Sequence, residues 1–134
     1  MNNLKYVNIK KRLPYGFSTY DCNDSSIKKL AYYLTEIYLK EIPVIIMALR
    51  ENDNYYNFWR NEMYVDYYAD DYYVIGDPAV GCYNGYDPVP EGMLWIKRDQ
   101  FVKILQRWYE LRSKGITEIM ITKDGDNFEM HEVV

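Results

Sequence analysis

The side chains that most often carry out nucleophilic or acid–base catalysis are scarce in this sequence. An activated Ser, Thr or Cys needs a neighbouring base, usually histidine, because imidazole titrates near neutral pH. The single histidine, His131, lies close to the C-terminal end, where we expect an exposed position on a terminal strand. Cys22 and Cys82 have no CxxC spacing and no histidine companion, so a zinc site is not predicted, and their pairing in a disulfide stays open. The sequence lacks GxxxxGK[ST] and GxGxxG phosphate loops, and we predict no catalytic residue and no cofactor.

Aspartates offer a second route to chemistry, through a bound metal ion. Mg²⁺ prefers carboxylate oxygens, and metal-dependent nucleases use such ligands for phosphodiester cleavage. That chemistry also needs a cation near the developing charge, and Arg60 is the only one in residues 51–92. We therefore predict no metal site and keep a metal-dependent hydrolase as the third functional hypothesis. The aspartates concerned are Asp66, Asp70, Asp71 and Asp77.

Charge is distributed unevenly along the chain. The net charge is −4, but residues 51–92, here called the acidic segment, carry nine acidic residues and one basic residue, a net charge of −8. The remaining residues carry 11 acidic and 15 basic side chains, a net charge of +4. Nine of the 16 tyrosines also lie in the acidic segment. Carboxylates among aromatic rings repel phosphates, so we predict no direct binding of nucleic acid.

Interleaved tyrosine and aspartate suit a protein interface. Tyrosine offers a large rigid ring and a hydroxyl group, which makes it effective at interfaces. Aspartates beside it speed encounter with a basic partner and position its Arg or Lys side chains. Proteins with a basic groove for nucleic acid are natural targets of such a surface.

The elements around the acidic segment follow from periodicity. We predict an α+β fold in a single domain, 1–134, with a mainly antiparallel sheet and two amphipathic helices, about 25–41 and 99–114, packed on one face. Pro43 should end the first helix, and the apolar run Val44–Leu49 should form a central strand. This run is far shorter than the roughly 20 residues of a membrane span, so we predict no membrane segment.

Further strands and turns complete the expected sheet. Residues 4–10 and 93–97 are expected to form strands, and Pro14 to Tyr20 an irregular entry segment. Residues 116–131 should form a hairpin that turns at Asp124–Asn127. Gly76 to Gly92, rich in glycine and proline, should form a long loop.

Alternation within the acidic segment predicts one buried and one exposed face. Asp70-Asp71 should form a hairpin turn between strands near 64–69 and 72–75. We expect Tyr67 and Tyr73 to face the core, since they share a face with Val65 and Ile75. The opposite face should meet water and carries Tyr64, Asp66, Tyr68 and Asp70.

The chain resembles the small acidic immunity proteins of bacterial contact-dependent growth inhibition and related polymorphic toxin systems. The resemblance lies in size, in the aromatic and acidic stretch from Tyr64 to Tyr73, and in the helix from Phe101 to Gly115 followed by the hairpin to Met130. It covers about the last 90 residues. It implies a cytoplasmic, non-enzymatic inhibitor that binds one cognate toxin domain, often a nuclease. The first residues, Met1 to Lys5, lack an apolar stretch of signal-peptide length, so we expect a reduced, cytoplasmic setting.

These observations lead to one preferred function and one further binding hypothesis. The preferred function is an immunity protein that neutralises a basic toxin domain by covering its active site or substrate groove. The alternative is an acidic, phage-type mimic of DNA that occupies a host nuclease or regulator. The predicted partner contacts are Tyr64, Asp66, Tyr68, Asp70, Asp71, Asp77, Tyr86 and Asp87.

Overall fold

Helices and antiparallel strands combine in an α+β fold, as predicted. The computed structural model describes residues 4–12, 16–53, 55–61, 63–76 and 93–133. The predictions for Asp77, Tyr86, Asp87, Cys82 and the loop that follows Gly76 lie outside the described residues. The elements are β1 (Lys5–Arg12), β2 (Gly16–Cys22), α1 (Ser25–Thr35), a 3-10 turn (Leu39–Glu41), α2 (Ile42–Arg50), β3 (Tyr64–Ala69), β4 (Tyr72–Gly76), β5 (Leu94–Lys97), α3 (Arg98–Ser113), β6 (Glu118–Asp124) and β7 (Asn127–Glu132).

The strands form two antiparallel sheets where the sequence predicted one. The first has the order β2-β1-β6-β7, and the second has the order β3-β4-β5. One cluster of buried hydrophobic side chains contains members from both sheets and from α1, α2 and α3. Trp108 on α3 is buried there and donates its indole N–H to the carbonyl oxygen of Leu34 on α1 at 3.1 Å. The second sheet, whose strands β3 and β4 belong to the acidic segment, is therefore positioned by a core that it shares with the helices.

The apolar run Val44–Leu49 is helical, so the predicted central strand is wrong. Pro43 lies in the first turn of α2, where the missing N–H costs nothing and the fixed φ suits a helix. Ile42, Ile45 and Leu49 are fully buried, whereas Val44 and Met47 are more than half exposed, which is a helical spacing. A short apolar run has no period of its own, so helix and strand cannot be separated by composition alone.

The first predicted helix is also shorter than expected. Asp24 caps it, since its carboxylate accepts hydrogen bonds from the backbone N–H groups of Ser26 and Ile27. The helix ends at Thr35, and the chain is extended at Tyr38. There the Glu41 side chain accepts from the Tyr38 N–H at 3.1 Å and starts a new turn. A shorter α-helix, α1, and a 3-10 turn therefore replace the single helix predicted for 25–41.

The segment predicted to be irregular, Pro14 to Tyr20, is mostly strand. From Gly16 onward it forms β2, the edge strand paired with β1. Gly16 has a φ of +88°, the left-handed region that glycine enters without strain. Phe17 packs edge-on against Trp108, with ring centroids 5.1 Å apart. Gly16 therefore begins β2, and the described residues that follow it are extended.

Several other predictions are confirmed. The strands predicted near 4–10 and 93–97 correspond to β1 and β5, and the closing hairpin is formed by β6 and β7. The helix predicted for 99–114 is α3, and its predicted apolar stripe is buried. Among the described residues, no helix is both long enough and apolar enough to cross a bilayer.

Candidate protein-binding surface

The hairpin β3–β4 places two carboxylates at its tip. Asp70 and Asp71 connect the strands and have φ values of +52° and +67°. Two successive left-handed residues match the twist of a two-residue hairpin, and aspartate tolerates this region better than most residues. Both side chains are exposed. The predicted hairpin turn is therefore confirmed.

Register separates an inner face from an outer face of the second sheet. Val65 pairs with Ile75, and Tyr73 pairs with both Tyr67 and Ile96, so these side chains share the inner face toward the core. The outer face carries the residues between them. Its members in the described strands are Tyr64, Asp66, Tyr68, Tyr72, Val74, Trp95 and Lys97.

Tyr64 does not meet solvent, so the prediction that it is exposed is wrong. It is fully buried in a small apolar cluster with Val74 and Met93. Its hydroxyl lies 2.8 Å from the Met93 sulfur atom and donates to it. Gly76, the residue paired with Tyr64, leaves room for the ring, because a Cβ there would lie 2.7 Å from the Tyr64 hydroxyl. Alternation shows which face a residue occupies, but it does not show whether that face is covered.

The inner face also departs from expectation at Tyr67. Tyr73 is fully buried as predicted, but Tyr67 is partly exposed although it lies on the same face. Its ring packs edge-on against Tyr73, with centroids 5.5 Å apart. Its hydroxyl accepts the Asp71 N–H at 3.5 Å. Because β3 is an edge strand, this ring is packed on one side and open on the other.

Exposed aromatic rings are grouped on the outer face. The ring centroid of Trp95 lies 4.6 Å from that of Tyr68 and 5.8 Å from that of Tyr72. Tyr68 is 38% exposed and Trp95 is 36% exposed. Tyr72 donates its hydroxyl to Asp126 at 2.9 Å, which fixes one end of the row. Sequence reasoning missed Trp95, although Leu94 and Ile96 on either side are buried and their alternation points Trp95 outward.

Asp66 lies beside a further exposed ring, that of Trp59. The Trp59 indole N–H donates to Asp66 Oδ1 at 3.3 Å. Burial raises the pKa of Asp66, and the hydrogen bond from Trp59 opposes that change in part. Within the described part of the chain, Asp66 has no ion-pair partner. It is a half-buried carboxylate without a compensating cation.

Trp59 is held by Arg60. The Arg60 guanidinium donates to the carbonyl oxygens of Asn57 and Trp59, each at 2.7 Å, and to the Tyr56 hydroxyl at 2.7 Å. It also forms an ion pair with Glu41 at 3.0 Å. The only cation of the acidic segment is therefore used to fix the backbone before β3, and it does not neutralise Asp66.

The hairpin tip lies in a mixed electrostatic field, which the sequence did not reveal. Arg98 forms an ion pair with Asp71 at 2.8 Å and a hydrogen bond with Asn52. A cleft of about 510 Å³ beside the tip is lined by three basic and three acidic residues and by Val102. The acidic segment is therefore partly compensated by cations from elsewhere in the chain. These charged residues are Arg50, Lys97, Arg98, Asp70, Asp71 and Asp99.

The fold brings together part of the predicted contact set. Asp66 and Tyr68 lie on the outer face, and Asp70 and Asp71 lie at one end of it, whereas Tyr64 is interior. The third hypothesis, a metal-dependent hydrolase, gains no site: in the ranges that the structure describes, no three His, Cys, Asp or Glu side chains are grouped closely enough to hold an ion. Cys22 is a free thiol at the end of β2.

Comparisons of the chain with known protein families, with curated proteins and with solved structures found no match. The outer face of the second sheet is therefore the basis for the functional proposal that follows.

Proposed function

We propose that this chain is an immunity protein: a cytoplasmic, non-enzymatic inhibitor that binds a cognate basic toxin domain, most simply a nuclease, and covers its active site or substrate groove. The observation that carries the proposal is the outer face of β3, β4 and β5, where Trp59, Tyr68 and Trp95 are exposed around the Asp66 carboxylate, which has no ion pair among the described residues.

The aromatic rings support the proposal through their contact chemistry. Trp and Tyr are the side chains most enriched at the energetic centres of protein interfaces, because each buries a large area at a small cost in conformational entropy. Here the rings of Tyr68, Tyr72 and Trp95 already contact one another, so little ordering is needed on binding.

The charges support a basic partner, although more locally than the acidic segment suggests. Asp71 is compensated by Arg98, whereas Asp66 and the exposed Asp70 have no ion pair among the described residues. A cation of the partner would be attracted most strongly at Asp66, because partial burial there weakens the competition from water. Attraction to a nuclease, whose substrate groove must be basic to hold phosphates, follows from that arrangement.

The experiment uses gene order to find the partner. An immunity gene directly follows the gene of its toxin, so the C-terminal domain encoded by the preceding gene is expressed with and without this protein. We expect co-expression to restore growth, and calorimetry to show a one-to-one complex. A domain that is toxic but neither binds this chain nor is inhibited by it would contradict the proposal.

Matched variants then test the surface. Tyr68→Ala and Trp95→Ala should each weaken binding by at least about tenfold, the loss typical of a central aromatic contact. Tyr109→Ala is the control, since Tyr109 is 40% exposed but lies on α3 beside α2. It should bind as the wild type does. Equal losses for all three variants, or none, would show that the outer face is not the interface.

A further inference from the structure

A small cleft lies between residues 56–59 and strand β3. Its volume is about 110 Å³, which is room for roughly three to four water-sized groups. Five of its eight lining residues are aromatic, but polar atoms form most of its accessible surface, and Asp66 is the only carboxylate among the lining residues. Among the lining residues, Trp59, Asp66, Tyr67 and Tyr73 carry the argument.

The aromatic part of the cleft is rigid. Tyr73 is fully buried, and its ring packs against Tyr67 and Phe58, with centroid distances of 5.5 and 5.7 Å. Trp59 is fixed through its hydrogen bond to Asp66 and through the Arg60 contact with its carbonyl oxygen. Trp59 and Tyr67 are both partly exposed, so rings at the mouth of the cleft remain accessible.

Asp66 differs from Asp71 and Glu41, which are paired, and from Asp70, which is exposed. Asp71 is paired with Arg98, and Glu41 is paired with Arg60. Asp66 accepts one hydrogen bond, from Trp59 to Oδ1, and among the described residues no donor contacts its second oxygen. A half-buried carboxylate with an open acceptor beside aromatic rings is a site for a cation.

We propose that this cleft receives an arginine side chain of the partner, with the guanidinium against Asp66 and the accessible rings of Trp59 and Tyr67 at its mouth. Arginine fits better than lysine because its planar, weakly hydrated head group stacks on rings and presents several donors to one carboxylate. The identity of the partner rests on the proposed function, whereas the binding of a guanidinium rests on the cleft alone.

A small probe tests the cleft without any partner protein. Nα-acetyl-arginine-N-methylamide is titrated into ¹⁵N-labelled protein, and the indole N–H signal of Trp59 is followed by NMR. We expect a saturable shift with a Kd of about 1 to 10 mM, the range for so small a ligand. The matched citrulline compound, which is neutral and of the same shape, should shift the signal far less. Trp108 is the internal control, because its N–H is buried and bonded to Leu34.

Three variants locate the binding. Asp66→Asn keeps an acceptor for Trp59 but removes the charge, and it should weaken the arginine probe at least about tenfold. Glu132→Gln removes an exposed carboxylate from β7, in the first sheet, and should leave the Kd unchanged. Tyr67→Leu, which removes one ring of the cleft, should weaken binding several-fold, and the spectrum of each variant reports whether it is folded.

Three results would overturn the assignment of the cleft. They are no saturable shift of Trp59 up to about 50 mM probe, an equal response to the citrulline compound, or an unchanged Kd in Asp66→Asn. The proposed function fails separately. If the arginine probe binds but the toxin domain encoded by the preceding gene does not, the assignment of the cleft is supported and the proposed immunity role is wrong. If the toxin binds wild type and Asp66→Asn equally, the role stands and the cleft is not its contact.

Discussion

The indole N–H of Trp59 donates to the carboxylate of Asp66, and this contact joins the segment before β3 to the middle of that strand. It places an exposed ring beside a half-buried charge that has no cation from the described chain. Such a charge costs stability, because burial disfavours the ionised form more than one hydrogen bond favours it. A functional site is one place where a protein keeps an arrangement of this kind.

Asp66→Asn should therefore raise the free energy of unfolding at neutral pH. A carboxyl group whose pKa is higher in the folded protein than in the unfolded chain destabilises the fold at pH values above its folded-state pKa. The destabilisation disappears at pH values below its pKa in the unfolded chain, near 3.8. The difference in free energy of unfolding between Asp66→Asn and the wild type should be largest at pH 7. It should become smaller as the pH falls and should be constant below pH 3.8.

Urea unfolding of both proteins across this pH range measures the difference. Asp70→Asn is the matched control, since it removes a carboxylate from an exposed position, and its effect should be small. A destabilised Asp66→Asn at pH 7 would show that the charge is compensated in the folded protein.

Arg98 should contribute more to stability than an ordinary surface cation. Its side chain is only 19% exposed, bridges Asp71 and Asn52, and lies 5.9 Å from the centre of the Tyr73 ring. Arg98→Gln should lower the free energy of unfolding by about 1 to 2 kcal/mol. Lys114→Gln breaks a fully surface pair with Glu110 and should cost less than about 0.5 kcal/mol. Equal losses of Arg98→Gln and Lys114→Gln in urea unfolding would show that Arg98 contributes no more than an ordinary surface ion pair does.

Even one methyl group added at Gly76 should destabilise the protein, because Tyr64 and Met93 pack closely against this residue. A Cβ there would lie 2.7 Å from the Tyr64 hydroxyl and 3.2 Å from the Met93 Cε. Gly76→Ala should destabilise the protein by about 1 to 3 kcal/mol, as overpacking does. Tyr64→Leu removes both atoms of Tyr64 that the Cβ would meet, the hydroxyl oxygen and Cζ at 2.8 Å, so the double variant should be more stable than the sum of the single losses predicts. Strict additivity would show that the two positions do not interact.

The stability of the protein should depend on the backbone conformation at Asp70 more than on the charge of its side chain. Asp70 has a φ of +52°, which costs a residue such as alanine about 1 to 2 kcal/mol. Asp70→Ala should lose about that amount, whereas Asp70→Asn and Asp70→Gly should lose much less. Thermal unfolding of the three variants separates the two causes, because all of them remove the same charge. Similar losses in all three would assign the effect to the carboxylate.

Elements with strong local signals could be predicted from the sequence. Helix α3 carries five apolar residues at helical spacing, and the hairpins at Asp70 and Asp124–Asn127 carry their turn residues. Helix α2 could not be assigned, because a short apolar run bounded by proline is equally suited to a buried strand. Pro43 starts that helix, although the sequence suggested that it ends one.

The candidate site could be predicted only in part. Asp66 and Tyr68 were placed on the correct face by alternation alone. The ion pair between Asp71 and Arg98 could not be predicted from the sequence. It forms because β5 pairs with β4, which places the start of α3 beside the hairpin tip. The burial of Tyr64 likewise depends on the space above Gly76. Both are contacts between segments that are distant in sequence.

The most direct measurement of the central claim is hydrogen–deuterium exchange of this protein alone and in complex with the neighbouring toxin domain. An interface on the outer face of the second sheet should slow exchange of backbone amides in residues 56–60, β3 and β5, and should leave the exposed side of α2 and α3 unchanged. Protection confined to α2 and α3, with exchange in β3 and β5 unaltered, would contradict it.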